Sequence, residues 1–300
     1  MNNMIYPSKI RIVPNCKLAK LTPNHTDNEY QKMMNGGNSG VIEKRNHKKF
    51  GKVVTKYTIT NADGYDNTDP LISADYDVLS VCISEIEAGN MATTPAIILR
   101  GLTGRTTGAS GGTHNGEVNK DQRAAILNSI EKLMSTIITI DATETNKALG
   151  YNDGKAEIIT DTILPCHYKT EKINGQVVDD TIIFDRQSPI FKFADQRNQI
   201  IRYDVSLLDV PNQNNTPLVI ALKNYSLRRV LECIKHKMTP TLTLADIFKK
   251  CKITDKPNVI KLRAREYLDE FFKHLQNKGV IKSFEWTKKG NKFYSVKFTF

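Results

Sequence analysis

Cysteine is sparse and unpaired in this sequence. Cys16, Cys82, Cys166, Cys233 and Cys251 are scattered, odd in number and never spaced C-x-x-C. That argues against a disulfide framework or a structural zinc site and fits reduced thiols in a cytoplasmic protein. Long apolar runs are missing, so no segment reads as a transmembrane helix. Met1-Asn2-Asn3-Met4 has no basic flank ahead of an apolar core, so no signal peptide is expected. The histidines, His25, His47, His114, His167, His236 and His274, lack metal-ligand spacing. No tyrosine lies beside a metal-binding histidine pair, the arrangement a nicking enzyme would need. The glycine-rich stretch from Gly101 to Gly116 lacks the lysine of a G-x-x-x-x-G-K-[ST] phosphate loop. Cys166 and His167 are neighbours, but nucleophilic catalysis also needs an orienting third group, and none is indicated. The expectation is a non-enzymatic protein without metal or cofactor.

What the sequence does have is an uneven distribution of charge. The formal net charge is +11 over 300 residues, room for about two domains. Residues 217–300 hold 19 Lys+Arg against 7 Asp+Glu; the other 216 residues hold 24 against 25. The basic excess therefore lies in one segment, as expected of a footprint for a polyanion. The alternative is a solvated basic surface with no partner.

Residues 1–50 read as a flexible N-terminal arm. Asn35-Gly36-Gly37-Asn38-Ser39-Gly40 is its loosest stretch, and Glu43 to Lys49 is a polar, mostly basic run. Lys52 to Thr60 is rich in β-branched residues and reads as a strand. A helix is expected from an N-cap at Ser73 to about Ala88, stopped by Gly89. A second opens at Thr94-Pro95 and ends at Gly101, and a third runs from about Asn119 to Met134. Ser135–Asp141, Ala156–Ile163, Thr181–Phe184, Ile190–Phe193 and Ile200–Val205 read as strands, with a hairpin turn at Asn174-Gly175. Three helices followed by β-hairpins is the order of a winged helix, here spanning 51–211 with an enlarged β-wing. Pro211 to Pro217 is a polar link.

Residues 217–300 repeat that order more compactly. A helix runs from Leu218 to about Lys237, a short strand covers Thr241-Leu242-Thr243, and a second helix covers Leu244–Lys250. Pro257 opens a third helix that Gly279 stops. A hairpin follows, turning at Thr287-Lys288-Lys289-Gly290-Asn291. In its last strand Tyr294, Val296, Phe298 and Phe300 are expected to face the core. The fold class expected is α+β, two tandem winged-helix domains, the second of which binds double-stranded DNA.

Within that second domain the third helix is the candidate groove reader. Ile260, Ala264, Tyr267, Leu268, Phe271 and Leu275 form its inward stripe, while Lys261, Arg263 and Arg265 occupy other faces of its first half, just after Lys256 and Asn258. A reading helix sets its N-terminal half against base edges, where Arg suits guanine and Asn suits adenine because each bonds two edge atoms at once. An amphipathic helix with a charged outer face is the rival. Lys288, Lys289 and Lys292 at the hairpin tip are placed to neutralise phosphates, as against lysines on a solvated turn. Arg228 and Arg229 suit phosphate positioning or internal salt bridges equally. Arg105, Thr106 and Thr107, in the glycine-rich loop, are further phosphate candidates, against a plain flexible loop.

Asn224-Tyr225-Ser226-Leu227-Arg228-Arg229-Val230-Leu231 resembles a motif in the second winged helix of plasmid and phage replication initiators. Gly279-Val280-Ile281, Lys288-Lys289-Gly290-Asn291-Lys292 and Val296-Lys297-Phe298-Thr299 are similar to that family's closing hairpin. Leu71-Ile72-Ser73 with Tyr76-Asp77-Val78-Leu79 is similar to its first domain. The resemblance covers roughly residues 70–300 and departs from the family in the glycine-rich loop and the long β region from 156 to 205. It implies an initiator that binds repeated sites at a replication origin, dimerises through its first domain and recruits the host helicase machinery. A winged-helix transcriptional repressor, or a basic protein-interaction module docking an acidic partner, are the alternative functions.

Overall fold

The computed structural model describes residues 8–14, 39–47, 51–61, 71–105, 118–150, 157–173 and 176–300. The expected turn at Asn174-Gly175, Thr106 and Thr107, most of the glycine-rich loop and much of the expected arm lie outside them. The described residues fall into two compact units. One takes its residues from Ile12–Pro95 and Arg123–Ile200, the other from Pro7–Arg11, Ala96–Gln122 and Ile201–Phe300. No helix among the described residues is long and apolar enough to cross a membrane.

In the first unit, α1 (Ser73–Glu87) is buried on most of its circumference. Its interior polar groups are paired. The Asp75 carboxylate accepts from the Ile72 backbone N–H (2.8 Å) and from Ser129 Oγ (2.6 Å), and Lys132 Nζ lies 4.0 Å away. Ser84 Oγ donates to the Ser80 carbonyl and accepts from the Ile12 N–H. The N-cap is Ile72 rather than Ser73, because Asp75 reaches back to the Ile72 N–H and sets the first turn one residue earlier. After Gly89, at φ +87°, the short strand β4 (Ala92–Thr93) begins.

α2 (Pro95–Thr103) and α3 (Lys120–Ser135) follow in the chain. α3 ends where the β-branched run Thr136-Ile137-Ile138-Thr139-Ile140 starts, and the Ser135 and Thr136 hydroxyls both donate to the Lys132 carbonyl. That run is β5 (Thr136–Asp141). It joins β2 (Ser39–His47), β3 (Gly51–Asn61) and β6 (Ile158–Thr162) in an antiparallel sheet ordered β2-β3-β5-β6, in which Ile59, Ile138 and Ile140 are fully buried. The segment expected to be an arm thus supplies β2, and also β1 (Ile10–Pro14), where Ile12 and Val13 are buried. β5 and β6 belong to this sheet and not to an enlarged wing.

The hairpin is β7 (Cys166–Ile173) with β8 (Gln176–Phe184). β4 pairs antiparallel to β8, Ala92 with Ile183 and Thr93 with Ile182, giving the order β4-β8-β7. Between β5 and β6 lies α4 (Thr143–Leu149). Ile190–Phe193, expected as a strand, lies in the helix α5 (Pro189–Gln196). A short apolar run has no period that separates strand from helix, and the start signal is Ser188 followed by Pro189 at the first helical position. β9 (Ile200–Asp204) and a 3₁₀ turn (Val205–Leu208) come next.

The second unit is built on a tight backbone approach. α2 stops at Gly104, not Gly101. Gly104 has φ +81°, and a Cβ there would lie 2.4 Å from the Val205 carbonyl oxygen and 2.6 Å from the Asp209 N. Arg11, 1% exposed, donates to the Gly101 carbonyl at 3.0 Å, and Asn224 Nδ2 donates to that of Leu102 at 2.8 Å. α6 (Pro217–His236) is capped by Thr216, whose hydroxyl accepts the Val219 N–H, with Pro217 just inside.

β10 (Thr241–Thr243), α7 (Leu244–Lys250), α8 (Asn258–Asn277), β11 (Ser283–Lys289) and β12 (Lys292–Thr299) complete this unit. Their sheet is ordered β10-β12-β11. Residues 73–184 and 217–300 therefore share a helix, a short strand, two helices, and a hairpin whose last strand pairs with the short one, with β5, α4 and β6 inserted ahead of the hairpin in the first. Phe272 centres the second core, with ring centroids 5.0 Å from Phe298, 5.6 Å from Phe284 and 6.0 Å from Trp286.

Buried Lys223 on α6 donates to the Leu208 carbonyl (2.7 Å) and to Asn215 Oδ1 (2.8 Å). Burial pushes its pKa down from 10.5 to about 8, against Asp209, which raises it, and with Arg105, which lowers it. The folded state thus releases this proton before the unfolded chain does. Stability should rise as pH climbs from about 8 to 10.5, by roughly 2 kcal/mol between pH 8 and 10. Urea denaturation at both pH values should show this gain in the wild type relative to Lys223→Met. Parallel pH dependences would refute it.

Candidate nucleic-acid interface

α8 is fixed to its unit by Ala264, Leu268, Phe271, Phe272 and Leu275, all buried. Tyr267 and Ile260 of the expected stripe are half-buried. The opposite side of its first two turns presents Asn258, Val259, Leu262, Arg263 and Glu266, all exposed. Helical spacing sets these residues on one face. Arg263 and Asn258 thus stand where the sequence places them, at the open N-terminal end of α8, and Lys256 is exposed in the turn just ahead of it. Lys261 is half-buried and lines a shallow depression with Phe248, Lys249, Lys252 and Asp255.

Arg265 is placed differently. Its guanidinium carbon lies 4.4 Å from the Phe293 ring centroid and 5.9 Å from that of Trp286, and its buried Nε has no hydrogen-bond partner among the described residues. The side chain bridges α8 to the hairpin. Trp286 Nε1 adds a bond across the same seam, donating to Asp269 Oδ1 at 3.0 Å. Burial raises the Asp269 pKa, but hydrogen bonds from Lys273 and Trp286 and the nearby positive charges outweigh it and hold the carboxyl below its usual value.

The hairpin tip carries Lys288, Lys289 and Lys292, all exposed, with Lys289 paired to Lys292 across the two-residue turn Gly290-Asn291. Gly290 takes φ +63°. The alternation expected for β12 holds for Val296 and Phe298, both buried, but not for Tyr294, which is 51% exposed. A register shift between Thr287 and Lys288 pairs Thr287 with Ser295 but Lys288 with Phe293. This bulge exposes Tyr294 and turns Phe293 onto Trp286, ring edge to face at 6.1 Å. The Lys288 and Lys289 ammonium groups lie 4.9 Å and 6.0 Å from the Phe293 and Tyr294 ring centroids. The aromatics steady the stems while the charges face water.

On α6, Arg229 forms an ion pair with Glu232, which is 1% exposed, and Arg228 stacks over Tyr225 at 5.7 Å. Arg229 thus has the internal partner that is one of the two roles its sequence context allows. Packing of α6 on α7 adds residues that the sequence does not single out. Burial lowers the Lys250 pKa, and Lys249, Arg228 and Arg229 lower it further. Basic residues therefore meet where α6 packs on the end of α7, and Lys249 lines one depression with Lys252 and Lys261. Their sequence signal is the lysine pair in the last turn of α7, together with Lys252. Arg105, at the end of α2, lies 3.6 Å from Asp209, both side chains 46% exposed.

In the first unit Cys166 is buried, its thiol pushed up to about 12 by burial and by Asp185, so it is protonated at neutral pH. The His167 ring bonds Asp185 at 2.8 Å. Among the described residues no three His, Cys, Asp or Glu side chains converge on a metal site.

No family model and no curated protein matches the chain. Solved structures of one protein, RctB, are among those similar to it. Domains 2–3 of RctB share 11% identity at a TM-score of 0.44, covering 87% of this chain and 91% of that one. A selenomethionine derivative of the same two domains gives 10% identity and a TM-score of 0.38 over 87% and 90%.

Proposed function

We propose that residues 217–300 form a winged helix that binds double-stranded DNA. α8 enters the major groove and the β11–β12 hairpin lies on the adjacent backbone. The carrying observation is a joint one. The segment with the largest basic excess, 19 Lys+Arg against 7 Asp+Glu, has the order helix, short strand, two helices and hairpin. It also exposes Asn258 and Arg263 at the start of α8 and three lysines at the hairpin tip. Groove-reading helices use their N-terminal residues on base edges, and wing lysines contribute charge without sequence information. Lys256, Lys261 and Arg228, with Lys249 and Lys252, extend the positive surface for phosphate contact, while Arg229 is held by Glu232. Arg265 holds the wing to the helix. Arg105 contributes to the positive surface of the same unit.

The helix and strand order of residues 73–184 repeats that pattern without the basic excess, so the first copy is read as the dimerising partner of a replication initiator. Binding at origin repeats and recruitment of the host helicase rest on the sequence resemblance.

The test is selection from a random duplex pool with the full chain. Wild type should enrich one motif. Arg263→Ala should flatten the preference at one position, since a bidentate contact is worth about 1–3 kcal/mol of discrimination. Lys289→Ala should weaken all duplexes by similar factors. An unenriched pool would overturn sequence-specific binding. A motif recurring as tandem repeats near the coding sequence supports an initiator over a repressor.

A further inference from the structure

Within the proposed reading face, two of the exposed side chains are aliphatic. Val259 and Leu262 are each 53% exposed, although α8 has a complete apolar stripe on its other side. Further along the same face the exposed residues are polar, Glu266, Glu270 and Lys273. The apolar pair is thus confined to the turns that carry Asn258 and Arg263, with Lys256 just ahead.

A branched aliphatic left half in water forgoes the free energy of burial unless something covers it. The cover must be apolar at its centre and negatively charged where it meets Lys256 and Arg263, the exposed cations that flank the pair ahead of Glu266. The major groove of DNA meets both conditions. Each base pair carries phosphates on either side, and the thymine 5-methyl is the apolar feature its edge presents. Residues three apart on a helix are separated by about 4.5 Å along its axis, near the ~3.4 Å step of the duplex.

We infer that Leu262 and Val259 are specificity-determining residues that pack on the 5-methyl groups of thymines at neighbouring steps of the target, beside the base read by Arg263. This rests on the duplex-binding reading above and goes beyond it by assigning thymine to part of the site. Phosphate contacts set affinity there, and the methyl contacts select sequence without adding salt dependence.

The experiment uses the full chain and the duplex it enriches from a random pool. Each thymine is replaced in turn by deoxyuridine, which removes only the methyl group. One or two positions should lose about fourfold in affinity, the weight of one buried methyl. Leu262→Ala or Val259→Ala should bind the thymine and deoxyuridine versions at those positions equally well. Both variants should keep the wild-type salt dependence on unselected duplex, and exposure of both side chains leaves the fold unaffected. A flat deoxyuridine scan on an enriched duplex would overturn the thymine assignment alone, as would deoxyuridine losses that persist in both variants. A change in oligomeric state in Leu262→Ala with an unchanged scan would assign the patch to a second copy of the chain and overturn it too. Failure to enrich any duplex would overturn this assignment together with the duplex reading.

Discussion

Phe272→Ala should destabilise the second unit by about 3–5 kcal/mol, read as a fall in the urea midpoint at unchanged slope. Phe272 is fully buried and its ring meets Phe271, Phe284, Trp286 and Phe298. Truncation removes the transfer free energy of a whole ring and leaves a cavity. The rigid aromatic neighbours cannot collapse into it, which favours the upper part of the range. Phe272→Leu keeps most of the volume and should cost much less. The same ring ties α8 to both hairpin strands, so Phe272→Ala should loosen the wing. A near-neutral midpoint for Phe272→Ala would show that this cluster does not hold helix and hairpin together.

Gly104→Ala is expected to cost about 3 kcal/mol or more. Two effects add. The residue sits at φ +81°, where an L side chain costs about 1–2 kcal/mol. The new Cβ would also overlap the Val205 carbonyl oxygen at 2.4 Å and the Asp209 N at 2.6 Å. Both are backbone atoms, so the end of α2 or the 205–209 segment must shift, at a further cost of the size seen for overpacking. Gly89→Ala separates the two effects. Gly89 has φ +87° and, among the described residues, no atom within 4 Å of a would-be Cβ, so it carries only the first. Equal midpoints for the two variants would mean that the close approach is absent in solution.

Legibility in the sequence follows the range of the interaction. α7 is legible at Leu244–Lys250 and α8 to within a residue of each end, because Thr243, Pro257 and Gly279 act locally on chain direction. The burial of Val296 and Phe298 follows from strand alternation. Tyr294 breaks it, because a bulge is a choice of register between two strands and leaves no mark in either one alone. Strand pairing is hidden for the same reason. Nothing in Gly51–Asn61 says that β5 lies beside it, or that β6 leaves the hairpin to join it. α5 is masked by an ambiguous apolar run, although Ser188-Pro189 marks its start.

For the candidate site, side-chain type is visible in the sequence and side-chain role is not. Arg263 and Arg265 read alike there. In the fold one faces solvent, while the other lies over Phe293, because two positions along a helix turn a side chain by about 200°. Val259 and Leu262 do carry a signal, as aliphatics that fall off the inward stripe. Lys250 needs the packing of α7 on α6 before it becomes a neighbour of Arg228 and Arg229.

The most direct measurement of the central claim is the salt dependence of duplex binding by the full chain, wild type against the combined Lys288→Ser, Lys289→Ser and Lys292→Ser variant. Wild-type affinity should fall by orders of magnitude between about 50 and 200 mM salt, and the variant's log–log slope should be shallower by roughly 2.7, about 0.9 for each phosphate no longer neutralised. No duplex binding at the lowest salt, or an unchanged slope in the variant, would contradict a DNA interface made of α8 and the lysine-tipped hairpin.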